Sequence, residues 1–170
     1  MQTKTTRMTE QEALLKLSAL CSRSEHSSGE MMEKMWRWQL PDDVRERVLA
    51  RLVSERFVDD ERFSRFFARD KIRFERWGRR KIEQALMRKG VDKEVVSRVL
   101  DEFSDDDYAE QLSSLLAAKR RSLKAANSRE LNAKLIRYAL GRGFGYDIIR
   151  RCLDTDADTD FSDNDSYDDF

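Results

Sequence analysis

The chain has 170 residues, of which 39% are charged and 39% apolar, and its formal net charge is zero. No apolar run reaches the roughly 20 residues that a membrane-spanning helix requires, and the polar residues 1–8 lack the apolar core of a secretory signal. These features exclude a membrane protein and predict a cytoplasmic one, in which the distant Cys21 and Cys152 stay reduced and bind no metal.

The zero net charge hides an asymmetry between the body of the chain and its C-terminal segment. Residues 154–170 hold eight Asp and no Lys, Arg or Glu. Without them the body carries a formal charge of about +8, which favours anionic partners such as DNA or an acidic protein groove. A highly charged helical surface without such a partner would have the same net charge, so charge alone does not separate the two explanations. We interpret residues 154–170 as a disordered acidic tail, either a solubilising extension or a tethered competitor for the basic face.

Apolar residues recur three and four positions apart along most of the chain, which is the spacing of amphipathic helices. Capping residues and glycines divide this pattern into nine predicted helices. The predicted helix starts are Ser27 with Glu30, Pro41, Asp59 or Asp60, Asp92, Ser104 with Asp107, and Asn127 with Glu130. Gly90 is predicted to end the fifth helix as a left-handed cap, and Gly143 is predicted to end the eighth.

The helices repeat in threes. A shift of 51 residues places Leu40 on Val91, and a shift of 53 places Gly90 on Gly143 and Val91 on Phe144. We therefore predict an all-α fold of three tandem three-helix repeats in an elongated, curved, right-handed stack. The predicted boundaries are a flexible lead at 1–8, repeats at 9–56, 57–103 and 104–153, and the tail at 154–170.

Catalytic patterns are missing from the sequence. His26 is the only histidine, and it is predicted to be solvated in a polar loop. There is no phosphate-binding glycine loop, no CxxC, and no residue set for nucleophilic catalysis. The chain is predicted not to be an enzyme and to need no cofactor or metal.

Three stretches resemble the motifs of RecX proteins. Phe57-Val58-Asp59-Asp60-Glu61-Arg62-Phe63-Ser64 is similar to the family's G-[YF]-[IL]-[DN]-D-x-[RK]-[FY]-A junction, with Arg56 and Ser64 replacing Gly and Ala. Two further stretches, Trp77–Val91 and Arg142–Ile149, resemble the family's G-xx-[KR]-I…KG-[IV] and RGF-[SD]-Y-xx-I segments. The first repeat matches less well, since Leu40-Pro41 stands where KG-[IV] is expected.

This resemblance implies a regulator of the RecA recombinase. Such proteins lodge in the groove of the RecA–DNA filament and limit its growth or promote its disassembly. ATP hydrolysis, strand exchange and SOS coprotease activity then fall. RecA is the implied partner, with single- or double-stranded DNA as a further candidate, and a monomer is the expected state.

Two basic clusters are candidates for partner contact, because arginine forms bidentate bonds with phosphate or carboxylate. Solvated helix faces are the plainer explanation of both. The first cluster comprises Arg69, Lys71, Arg73, Arg76, Arg79, Arg80 and Lys81, around Trp77. The second comprises Lys119, Arg120, Arg121 and Lys124.

The aromatic residues divide into core and surface candidates. Helical spacing predicts a core position for Phe63, Phe66, Phe67 and Phe103. Trp36 and Trp38 are two positions apart on one helix, so one of them should be exposed. Trp77, among arginines, is the aromatic residue that we predict to be functional.

Two other functions remain open. A helical DNA-binding protein acting without RecA would account for the basic clusters, and its DNA affinity would fall steeply with salt. A helical adaptor for other proteins would show neither DNA binding nor an effect on RecA filaments.

Overall fold

Helices make up the regular structure of residues 7–159, the part of the chain that the computed structural model describes. This part contains no strand, so the all-α prediction is confirmed. Residues 1–6 of the predicted lead and 160–170 of the predicted tail lie outside it. The helices within it are α1 (Glu10–Cys21), α2 (Ser28–Arg37), α3 (Asp42–Ser54), α4 (Asp60–Arg73), α5 (Arg79–Arg88), α6 (Lys93–Leu100), α7 (Asp105–Ser122), α8 (Ser128–Gly141) and α9 (Tyr146–Thr159).

Local side-chain hydrogen bonds fix several helix starts. The hydroxyls of Ser27 and Ser104 each accept a bond from the backbone N–H three residues on, and the carboxylates of Glu30 and Asp107 accept the N–H of those serines in return. Asn127 caps α8 by accepting the Glu130 N–H at 2.9 Å. These three predicted starts are confirmed, because the donors left unpaired in a first helical turn are satisfied within the same segment.

The same left-handed turn follows α2, α5 and α8. Gln39, Gly90 and Gly143 have φ angles of 58°, 76° and 91°. In each case the next residue donates its N–H to the carbonyl five residues back, which is the Schellman arrangement. The first repeat therefore forms the turn of the other two although glutamine replaces glycine.

Close packing explains why only two of these turns require glycine. A Cβ at Gly90 would lie 2.6 Å from the Gly29 Cα, and one at Gly143 would lie 2.4 Å from the Lys81 Cβ. Gln39 is exposed, so its side chain extends into solvent. The φ angle alone is tolerable for glutamine, whereas the close approach at Gly90 and Gly143 is not tolerable for any side chain.

The chain divides into two compact units. The first consists of residues up to 67 together with 85–99. Its core is formed where α1 and α2 pack against α3, around the buried Leu17, Met31, Met35 and Leu52.

Glu30 is the centre of a polar network in the first unit. Its carboxylate accepts bonds from the Ser27 N–H at 3.0 Å and the Lys89 Nζ at 2.6 Å, and lies 3.3 Å from the His26 Nδ1. Burial acts to raise the pKa of Glu30, but the bonds from Lys89 and Ser27 outweigh it, so the pKa lies below its ordinary value of 4.5. The prediction that His26 is simply solvated is wrong, because it is half-buried against this carboxylate.

The second unit consists of residues 68–84 together with those from 100 onwards. Here α7 packs against α8 and α9. The buried side chains in these three helices and their connecting turns include Leu112, Leu116, Leu135, Ala139, Phe144 and Ile149.

Helix α9 extends past Leu153, where the predicted tail begins, to Thr159. No glycine or proline follows Leu153 to end the helix, and Thr, Asp and Ala can all continue one. The helical part of the chain is therefore longer than predicted.

One aromatic prediction is wrong and another is confirmed. Phe63 is buried, but Phe66 is 50% exposed, because it lies about 200° of helical turn from the fully buried Ser64. Of the tryptophan pair, Trp36 is 67% exposed and Trp38 is half-buried, so one of the two is exposed as predicted.

Candidate functional site

The loop that joins α4 to α5, residues 74–78, carries the centre of the first basic cluster. It leaves α4 through a wide turn, in which the Trp77 N–H donates to the Lys71 carbonyl at 3.0 Å. Arg76 has a φ of 50°, in the left-handed region that a residue with a Cβ enters at an energetic cost. Its conformation must therefore be held by the contacts around it.

Those contacts come from the turn between α8 and α9. The Gly78 N–H donates to the Arg142 carbonyl at 2.9 Å, and the Arg80 N–H donates to the Gly143 carbonyl at 3.1 Å. The Arg142 guanidinium donates in return to the backbone carbonyls of Glu75 and, at 3.4 Å, Arg76. The loop is thus held by bonds to the α8–α9 turn, two of them between backbone groups and the others from the Arg142 side chain.

Gly78 makes this docking possible. A Cβ at this position would lie 2.2 Å from the carbonyl carbon of Gly143 and from the nitrogen of Phe144. Both atoms are backbone and neither can move aside. The glycine is therefore required for close approach, which sequence spacing alone does not reveal.

Trp77 interacts with two cations of the first cluster. The Nζ atoms of Lys71 and Lys81 lie over its ring, 4.7 Å and 4.4 Å from the centroid. Such contacts stabilise the fold by about 0.5–1 kcal/mol each where they are partly exposed. The half-buried indole therefore has a structural role in this loop, and a functional role for it stays a prediction.

The arginines of the first cluster do not form one uniform cationic surface. Arg79 is paired with Asp101 at 2.6 Å. Arg69 and Arg73 border a cavity of about 300 Å³ whose lining also includes Asp107 and Glu110. Acidic residues thus lie beside several of these arginines. Arg80 is the exposed arginine of this cluster that belongs neither to the Asp101 pair nor to the cavity lining.

The second basic cluster lies in a segment that contains no carboxylate. Lys119, Arg120 and Arg121 occupy the last turn of α7, where the partial negative charge of the helix end favours cations, and Lys124 lies in the following loop. From 119 to 129 the sequence contains five basic residues, the fifth being Arg129, and no carboxylate. Arg121, Lys124 and Arg129 are exposed.

Phe74 is a surface residue that sequence reasoning missed. Its side chain is 80% exposed, the highest value among the exposed large apolar residues of the described chain. One signal was available, because the last buried positions of α4 are Ala68 and Ile72, four apart, and Phe74 falls off this spacing.

Groups that could carry chemistry are dispersed. No cluster of three or more His, Cys, Asp or Glu side chains suited to a metal occurs among the described residues. Burial raises the pKa of the Cys21 thiol, and burial raises that of the Tyr108 phenol to about 12, so both stay protonated. In the same part of the chain no helix is long and apolar enough to cross a membrane.

The chain matches two models of RecX domains, the second three-helix domain over residues 59–100 and the third over 105–153. A regulatory protein RecX of Chlorobium limicola is 31% identical over 134 residues, which cover 79% of this chain and 82% of that protein. The chain belongs to the RecX family. Loop 74–78 accordingly lies in the second RecX domain, and the α7–α8 connection lies in the third.

Other RecX proteins match over less of their length. A regulatory protein RecX of Clostridium botulinum is 33% identical over 96 residues, covering 55% of this chain and 44% of that protein. One of Bacillus cytotoxicus is 22% identical over 144 residues, covering 85% and 53%. The chain thus spans about half the length of these two relatives.

Solved RecX structures share the fold. A crystal structure of a regulatory protein RecX superposes with a TM-score of 0.79 at 19% identity, over 85% of this chain and 73% of that one. RecX from Lactobacillus salivarius superposes with a TM-score of 0.78 at 20% identity, over 86% and 95%. The prediction of tandem three-helix repeats is therefore confirmed.

Proposed function

We propose that this chain is a non-catalytic regulator that binds the RecA–DNA filament and limits its extension. RecA-dependent ATP hydrolysis, strand exchange and SOS coprotease activity would fall as a consequence, in the cytoplasm where RecA acts. Membership of the RecX family carries the proposal.

The test adds the chain to RecA assembled with ATP on single-stranded DNA and follows ATP hydrolysis over time. At substoichiometric amounts the chain should cause a progressive loss of hydrolysis, because blocking a growing end prevents replacement of departing subunits. Arg80→Ala should weaken this effect, since Arg80 is exposed, while Arg23→Ala, an exposed arginine of the first unit, is the matched control. Undiminished hydrolysis at equimolar chain would contradict the proposal.

Direct DNA binding is the second candidate function. It is favoured by the segment from 119 to 129, whose five basic residues have no carboxylate among them, because phosphate backbones attract such cationic stretches. Under this alternative the chain binds bare DNA with an affinity that falls steeply with salt, and RecA hydrolysis changes only when the chain competes for DNA. Absence of both effects would leave the adaptor function.

A further inference from the structure

Phe74 presents a large apolar side chain to solvent on a loop that has little freedom to move. Burying such a ring is favourable, and this residue does not realise that gain within its own chain, because it is 80% exposed. Isolated exposed apolar residues are common at protein surfaces. Phe74 differs from most of them because it sits on a backbone that is bonded at both ends.

The bonds that hold loop 74–78 are already formed in the free protein. Gly78 and Arg80 donate backbone N–H groups to the α8–α9 turn, and Arg142 bonds to the carbonyls of Glu75 and Arg76. A partner that binds Phe74 would therefore not have to order this loop. Preorganisation of this kind raises affinity, because less conformational entropy is lost on association.

The charges next to Phe74 differ from those of the α7–α8 connection. Asp70, Lys71 and Arg73 precede Phe74 on α4, and Glu75 and Arg76 follow it, so the charged residues from 70 to 76 are of both signs and sum to +1. Glu75 lies 3.8 Å from Lys71. The two carboxylates weaken the attraction of a polyanion at this point, whereas a protein surface can offer groups of both signs.

We propose that Phe74 is the anchor of a protein-docking surface. The ring inserts into an apolar pocket of the partner, and the rim of that pocket supplies a carboxylate for Arg73 and a basic group for Asp70. A central aromatic ring surrounded by polar groups is the usual arrangement of an interface hot spot. The inference rests on the proposed function, in which the partner that carries the pocket is a RecA subunit of the filament.

The experiment compares Phe74→Ala with the unmodified chain. RecA filaments are assembled with a slowly hydrolysed ATP analogue on an immobilised oligonucleotide, and the affinity of each variant is measured by biolayer interferometry. Truncation of a hot spot should weaken binding by roughly 30-fold. Leu15→Ala is the matched control, because Leu15 is 72% exposed but lies in the first unit, and it should change the affinity by less than about twofold.

Two companion measurements separate the possible causes. The thermal unfolding midpoint of Phe74→Ala should equal that of the unmodified chain, because the lost ring is exposed. Affinity for a bare oligonucleotide should also be unchanged. A parallel loss on bare DNA would assign Phe74 to base stacking and overturn the docking proposal.

The remaining outcomes are distinct. Unchanged filament affinity of Phe74→Ala would overturn the inference and leave the proposed function intact. If the unmodified chain does not bind filaments at all, the proposed function fails, and the partner assigned to Phe74 fails with it.

Discussion

At the scale of single residues, the three left-handed turns separate two demands that are usually met together by glycine. One is the positive φ angle, which Gln39, Gly90 and Gly143 all have. The other is the absence of a Cβ, which packing requires only at Gly90 and Gly143. A substitution can therefore be disfavoured by the backbone, by a neighbour, or by both.

Three substitutions test this separation. Gly143→Ala should lower the free energy of unfolding by more than about 2 kcal/mol, because the strained φ adds to the close contact with Lys81. Gln39→Gly should raise it by up to about 1 kcal/mol, since it relieves only the φ. Gly141→Ala, where a Cβ meets nothing within 4 Å, should be mildly stabilising within α8. Denaturant unfolding measures all three, and equal destabilisation by Gly143→Ala and Gly141→Ala would contradict the packing argument.

At the scale of helices and turns, Glu30 joins the start of α2 to Lys89 at the end of α5. Its carboxylate accepts the N–H of Ser27 and the ammonium of Lys89. Because the folded-state pKa is below the unfolded value, this contribution to stability is present above pH 4.5 and is lost as the pH falls through the folded pKa.

Glu30→Gln should therefore be less stable than the unmodified chain by about 1 kcal/mol at pH 7, and the difference should shrink at acid pH. Thermal unfolding midpoints between pH 7 and pH 3 measure it. Glu33→Gln is the control, because Glu33 is exposed and its pair with Arg37 spans one turn of the same helix. A difference between Glu30→Gln and the unmodified chain that is as large at pH 3 as at pH 7 would contradict the assignment.

Sequence reasoning succeeded where structure is determined locally. The caps at Ser27, Ser104 and Asn127 and the glycines that end α5 and α8 depend on neighbours within a few residues, and all were predicted. The exposed position of Phe74 was missed although its spacing from Ile72 signals it, but the conformation of the α4–α5 loop depends on a turn more than sixty residues away and has no local signal.

The candidate site shows the same limit. The sequence identifies the cations around Trp77, but it does not reveal that Lys71 and Lys81 lie over the indole or that Arg79 pairs with Asp101. The spacing of apolar residues predicts which face of a single helix is buried. It does not predict these contacts, because each joins residues of different elements. The residues left available for a partner could therefore be chosen only once the fold was known.

At the scale of the whole molecule, charge is distributed unevenly along the chain. The basic body and the aspartate-rich C-terminal segment have opposite signs, although the total is zero. If the segment competes with a polyanion for the basic residues, the competition acts at the high effective concentration of a tethered group and weakens as salt is added.

Removing residues 160–170 tests this competition without shortening α9. The deletion eliminates five Asp, so affinity for a single-stranded oligonucleotide should rise several-fold at low salt and converge with that of the full chain at high salt. Fluorescence anisotropy measures it. A variant with these five Asp replaced by Asn separates the effect of charge from that of length, and equal affinities of all three chains at low salt would contradict the idea.

The glycine contacts also determine which glycine positions can accept substitutions during evolution. Gly90 and Gly141 are both exposed, so accessibility alone suggests that both positions accept substitution freely. Only Gly141 has open space around it, whereas Gly90 faces the Cα of Gly29. A saturation-mutagenesis survey should therefore find Gly29, Gly78, Gly90 and Gly143 as intolerant as core positions, with Gly141 and Gly145 permissive. A side chain introduced at Gly29 or Gly90 would clash with the backbone of the other residue. Because each of the two already lacks a side chain, no second substitution within the pair can remove that clash.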